Sequence, residues 1–128
     1  MTHPTRFVQV SVLLGSFILG SLPAGAHHSL SIYDRGKSRT VEGVVKEFRF
    51  TNPHARIILT VASADGATKD WDFEGGGVNR LTERGIFVNT IRSGDKISVS
   101  YNPMRDGSAR GLFVAFTAAD GKHYVTRR

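Results

Sequence analysis

The chain has 128 residues, no cysteine, 17 Lys and Arg against 11 Asp and Glu, and a net charge of +6. That length supports one domain with a modest core, and the lack of thiols excludes disulfides, iron-sulfur clusters, thiol catalysis and any cysteine-based zinc site. The positive balance favours polyanions or an anionic surface as partners, yet the basic residues are scattered apart from Arg35 to Arg39 and Arg127-Arg128, a pattern that also serves plain solubility.

The chain opens on one firm charge, Arg6, followed by the apolar run "FVQVSVLLGSFILGSL" from Phe7 to Leu22. Pro23 ends any helix, and Ala24-Gly25-Ala26 offers the small residues that a signal peptidase accepts. The run sits at the short end of the roughly 17 to 25 apolar residues of a spanning helix, and no later segment repeats it. Residues 1–26 are therefore expected to be a signal peptide, the mature chain to begin at His27, and the product to be periplasmic or secreted, with no transmembrane segment after cleavage. Export argues against nucleic acid as the partner.

Residues 27–38, "HHSLSIYDRGKS", lack a clear period and read as an extended arm that Leu30, Ile32 and Tyr33 pin to the domain of residues 39–128. In "RTVEGVVKEFRF", Arg39 to Phe50, the apolar parity changes beside Gly43, which predicts a bulged, coiled first strand serving two sheets. "ARIILTVA", Ala55 to Ala62, alternates with Ile57, Leu59 and Val61 on one face. After an Asp-Gly turn, "TKDWDFE", Thr68 to Glu74, points Trp71 and Phe73 inward and Asp70, Asp72 and Glu74 outward.

The run Gly75 to Gly77 breaks that strand, and "VNRLTERG" reads as a short helix with Asn79 as its N-cap and Gly85 as its stop. Further on, "KISVSY" predicts a fourth strand with Ile97, Val99 and Tyr101 inward, "GLFVAFT" a fifth, and "ADGKHYV" a last turn and a short terminal strand. Three strands, a helix and two strands are the order of the OB-fold, a small, mainly β Greek-key barrel whose ligands lie on strands two and three and the adjoining loops. Asn-Pro occurs twice, in "TNPH" and "YNPM", and reads as a shared strand-ending turn.

The elements "AHHS", "YD" at Tyr33-Asp34, "VEGVVKEFRFTNPHARI", "W.FEGG" from Trp71, "N.L...G" from Asn79 and "GDK...Y.P.RDG" from Gly94 resemble a family of small exported bacterial proteins classed as a domain of unknown function. The resemblance spans nearly the whole mature chain, and Thr-Asn-Pro-His and Glu-Gly-Gly are its most specific parts. It implies an exported OB-like β-barrel and assigns no activity. Where the family pattern leads one to expect a capping residue and a proline after the glycines, this chain has Gly77-Val78.

Four constellations could carry chemistry. The first is a metal site: cleavage before His27 frees an amine that chelates copper together with the His27 ring, a brace similar to that of the lytic polysaccharide monooxygenases, with His54 as the preferred partner and His28 nearby. Nitrogen donors suit Cu(II), and a cut after Ala24 instead gives Gly25-Ala26-His27, also a Cu(II) and Ni(II) ligand set. The second groups His54, Trp71 and Met104 as a softer copper site. The third treats Asp70, Asp72 and Glu74 as acid-base carboxylates, against the simpler reading of a solvated face paired with Arg56 or Lys46. The fourth is a non-metal ligand surface on Arg56, Lys69, Trp71, Asp72 and Glu74, with Arg49 and Ile58 beside it. His123 reads as structural. The expectation is a binding barrel with copper at His27, His28 and His54 and no assigned catalytic residue. The alternatives are the non-metal ligand module and, after it, a copper-dependent oxidase or monooxygenase.

Overall fold

Strict alternation of apolar and polar residues drives most of this chain into strands whose apolar faces need a common core. In the structure, a computed structural model that describes residues 30–127, six strands and one helix follow in the order β1 (Arg39–Arg49), β2 (Arg56–Ala62), β3 (Thr68–Glu74), α1 (Val78–Thr82), β4 (Lys96–Pro103), β5 (Arg110–Thr117) and β6 (His123–Val125). The sheet order is β3-β2-β1-β4-β5-β6, and a parallel pairing of β3 with β5 closes the first five strands into a barrel. A five-stranded barrel closed in this way, with a helix between β3 and β4, is the OB-type arrangement expected.

The barrel closes because β1 serves both halves: residues 39–44 pair with β4 and residues 44–49 pair with β2. The register against β2 slips between Val45 and Glu47, so the bulge falls at Lys46 and not beside Gly43. Gly43 has a different duty. A Cβ there would stand 2.8 Å from the carbonyl oxygen of Thr60, so a side chain has no room where the two strands press together.

The interior holds Val45, Ile57, Leu59, Phe73, Leu81, Ile97, Val99, Tyr101, Phe113 and Phe116, all buried. Every strand residue expected to face inward does so, although Val61 and Trp71 lie only partly buried at its margin. Trp71 stacks on Phe73 at 6.0 Å and meets Tyr101 edge-on at 5.6 Å. Gly66, Gly94, Gly107 and Gly121 mark the turns with positive φ, a conformation that glycine adopts without steric cost.

The helix requires one correction. Asn79 does not cap it: the N-cap position is Gly77, without a side-chain cap of its own, and the N–H of Val78 donates instead to Oδ1 of Asn52 at 2.9 Å. Gly85 does stop the element, with φ +73° and the N–H of Ile86 returning to the carbonyl of Leu81 at 3.0 Å. The two Asn-Pro pairs are likewise not one shared turn. Asn52 lies in the β1–β2 loop and caps α1, whereas Asn102 is a buried member of β4 that donates to the carbonyl of Lys37.

The arm is described from Leu30 onward; residues 1–29, on which the expected signal peptide and the candidate ligands His27 and His28 fall, lie outside the described residues. Leu30–Ile32 form a single 3-10 turn, and the Leu30 and Ile32 side chains stay exposed, so of the three side chains only that of Tyr33 is buried, while the carbonyl of Ile32 accepts from the N–H of Arg105 at 3.0 Å. Tyr33 bridges to Met104 and is 3% exposed, and the N–H of Asp34 donates to the carbonyl of Pro103 at 2.8 Å. No helix among the described residues is long and apolar enough to cross a membrane.

Candidate functional site

His54 is the penultimate residue of the β1–β2 loop, and its neighbour Ala55 fixes the loop's position. The N–H of Ala55 donates to the carbonyl of Gly76 at 3.1 Å, and the N–H of Gly75 donates to the carbonyl of Ala55 at 2.8 Å. These bonds draw the loop against the end of β3 and bring Nδ1 of His54 within 2.7 Å of Oε1 of Glu74. The other carboxylate oxygen of Glu74 accepts from the hydroxyl of Tyr33 at 2.8 Å. Three stretches that are far apart in the chain thus join in one relay, Tyr33 to Glu74 to His54.

The relay has a buried and an open end. The Glu74 side chain is 13% exposed and that of His54 39%. Burial first, and then the hydrogen bond to the Glu74 carboxylate, pushes the Tyr33 phenol well above the ordinary tyrosine range. It therefore stays protonated as a donor to Glu74 throughout the physiological range. With Nδ1 turned to Glu74, Nε2 is the ring nitrogen left to meet a ligand.

His54 lines a cavity of about 280 Å³ together with Leu30, Arg35, Gly75, Gly76, Arg80, Leu112, Phe113, Thr126 and Arg127. The glycine run shapes this place. A Cβ on Gly75 would stand 2.0 Å from Cζ of Phe113, and one on Gly77 would stand 2.7 Å from Oδ1 of Asn52, so both residues permit the close packing of loop, helix and β5. The resemblance elements "YD", "TNPH" and "EGG" supply Tyr33, His54 and Glu74, and all three meet at this one site.

The remaining candidate residues are placed elsewhere. Trp71 and Met104 line a second cavity of about 170 Å³, while His54 lines the first, so the trio His54, Trp71 and Met104 is not brought together. On the β2–β3 face, Arg56 pairs with Asp72 through two hydrogen bonds, and Nζ of Lys46 lies 2.5 Å from Asp70, which Thr60 also contacts. Those two partners, Lys46 before Thr60, hold the Asp70 carboxyl below the usual range. Arg49 is engaged by Glu47, Ile58 is half-buried, and Lys69 stands exposed on β3. His123 meets Thr117 at 3.1 Å on the edge strand. Among the described residues no group of three or more His, Asp or Glu side chains could hold a metal by itself.

The sequence marks Arg35 and Arg127 only as members of two basic clusters, and does not show that they share a cavity with Arg80. Arg35, Arg80 and Arg127 come from the arm, the helix and the stretch after β6, and nothing in their local spacing announces a common wall. The sequence signal that did exist was the co-occurrence of the two most specific resemblance elements, one ending a loop and the other ending a strand.

Comparison with solved structures returns single-stranded DNA-binding proteins and a PriB domain. The mitochondrial single-stranded DNA-binding protein Rim1 of S. cerevisiae is 16% identical, with 64% of this chain and 93% of that chain covered at a TM-score of 0.45. The N-terminal domain of PriB from Thermoanaerobacter tencongensis gives 15%, 65%, 96% and 0.46 in the same order. A small single-stranded DNA-binding protein of Streptomyces coelicolor gives 18%, 64%, 90% and 0.41. Overlaps this low transfer no ligand, and the barrel stands on its own strand pairing. No curated protein matches the chain. A family profile does match, over residues 16–115, and the chain belongs to that family, the family of unknown function DUF6152.

Proposed function

We propose that this protein is an exported barrel that binds a copper ion, with Nε2 of His54 as one ligand and the amine and ring of His27 as the others, His28 standing next to them. The observation that carries the reading is the Tyr33–Glu74–His54 relay, whose outer member His54 lines the cavity. Ligating histidines characteristically donate their second ring nitrogen to a carboxylate that is itself hydrogen-bonded, which fixes the tautomer and raises the basicity of the ligand. Leu30 lines the same cavity as His54. His27 is three residues before it, a span of at most roughly 11 Å of extended chain, so an N-terminal chelate is tethered within reach of the His54 ring. Donors that are all nitrogen, with no thiolate in the chain, favour Cu(II) among the common divalent ions.

The test is a Cu(II) titration of the mature chain purified from its exporting compartment, with the N-terminus confirmed by mass. One copper per chain is expected, held far more tightly than by a free peptide that begins His-His-Ser-Leu. His54→Ala should lower the affinity about tenfold or more, and loss of the oriented carboxylate in Glu74→Gln about tenfold. An affinity equal to that of the peptide, or one untouched by His54→Ala, would overturn the reading.

A further inference from the structure

The cavity beside His54 carries more positive charge than a metal site would select. Arg35, Arg80 and Arg127 all line it. Four other basic side chains of the barrel pair with adjacent carboxylates, Lys37 with Asp34, Lys46 with Asp70, Arg49 with Glu47 and Arg56 with Asp72. Arg35 and Arg80 have no such partner among the described residues, and Arg127 spends one donor on Oδ1 of Asn102 at 3.0 Å. No Asp or Glu is among the lining residues, and Glu74, which meets the lining residue His54, is already shared between it and Tyr33.

Guanidinium groups gathered in a concave place and left without counter-charge are complementary to an oxyanion, which each can bind through two parallel hydrogen bonds. The floor is apolar: Leu112 and Phe113 are buried, and Leu30 covers one side. Gly75 and Gly76 keep the wall bare, and a Cβ on Gly76 would stand 2.9 Å from Cδ of Arg80. A volume of about 280 Å³ lies at the lower edge of the range of small-molecule sites. We infer that this cavity binds a small organic oxyanion, a carboxylate or phosphate monoester that sets an apolar body against Leu30 and Leu112 and its charged head among Arg35, Arg80 and Arg127. The inference rests on the arginines and the floor, and it stands whether or not His54 binds copper.

Calorimetric titration of the full mature chain, treated with chelator so that metal plays no part, tests it with benzoate, phenyl phosphate and neutral benzamide. One benzoate or phenyl phosphate per chain is expected, about tenfold or more tighter than benzamide. The tighter of the two oxyanions identifies the head group, and either one supports the site. Arg35→Gln and Arg80→Gln should each weaken it about fivefold or more, while Arg92→Gln, which is not among the lining residues, leaves it unchanged. Thermal melts of the same variants verify that they fold. Equal affinity for benzoate and benzamide would reduce the site to an apolar hollow, and equal loss in Arg92→Gln would reduce it to net-charge attraction; either result overturns the inference. Copper titrations of Arg80→Gln, expected to match the parent, separate this outcome from that of the metal reading.

Discussion

At the scale of single residues, Glu74 is the hinge of the site because one carboxylate satisfies two distant donors. Its Oε2 takes the hydroxyl of Tyr33 and its Oε1 faces Nδ1 of His54, so removing either partner leaves a largely buried oxygen short of a bond. Tyr33→Phe should therefore cost about 1 to 2 kcal/mol at neutral pH. It should also change the alkaline limb of stability. The phenol is held above the ordinary value of about 10, so below that pH both folded and unfolded chains keep the proton and the contribution of Tyr33 is complete. As pH rises further the unfolded chain loses its proton first, and stability falls until the folded phenol also titrates. Tyr101, raised by burial, adds a slope of the same sign. Urea midpoints measured from pH 9 to pH 11.5 should fall less steeply for Tyr33→Phe than for the parent; parallel curves would show that this phenol does not sense the fold.

At the scale of elements, α1 is short enough that its own residues cannot hold it, since isolated helices of a single turn or two are unstable in water. It forms because Leu81 is fully buried and because both ends are tied from outside the helix proper, by Asn52 before it and by the turn at Gly85 after it. The existence of the helix and its stop were legible in the spacing of Leu81 and Gly85. The cap was not, because Asn52 lies 26 residues upstream of the N–H it accepts from, and local patterning sees only the adjacent Asn79. The bulge in β1 was misplaced for a related reason: Gly43 marks a close approach to Thr60, a contact between strands that looks in sequence like a break within one. Asn52→Ala should cost about 1 kcal/mol, the usual loss of an N-cap, whereas Asn79→Ala should cost only a few tenths at most. Guanidinium unfolding of the two variants decides between them, and the reverse ranking would restore Asn79 as the cap.

At the scale of the whole molecule, the strand order was readable because each strand announces its buried face through alternation, and three strands, a helix and two strands have few ways to close. The convergence of Tyr33, His54, Glu74 and the three arginines was not readable, since closure itself creates that neighbourhood. Closure is also incomplete by design: β3 reaches only Arg110 to Leu112 of β5, and β6 covers Ala115 to Thr117 on the same strand. Tyr124 stacks on Phe116 at 5.0 Å, and the hydroxyl of Thr126 donates toward the carbonyls of Phe113 and Val114. The terminal strand thus blunts an edge that would otherwise present unpaired backbone groups beside a large aromatic. Ending the chain at Ala118 should leave a folded barrel with the parent's β-type circular dichroism, less stable by about 2 to 4 kcal/mol from the lost hydrogen bonds and aromatic burial. The shortened chain should also self-associate through β5, sedimenting as a larger species than the full chain at equal concentration. If it matched the full chain in both mass and stability, the edge of β5 would need no cover, and β6 would serve only to carry Thr126 and Arg127 to the cavity.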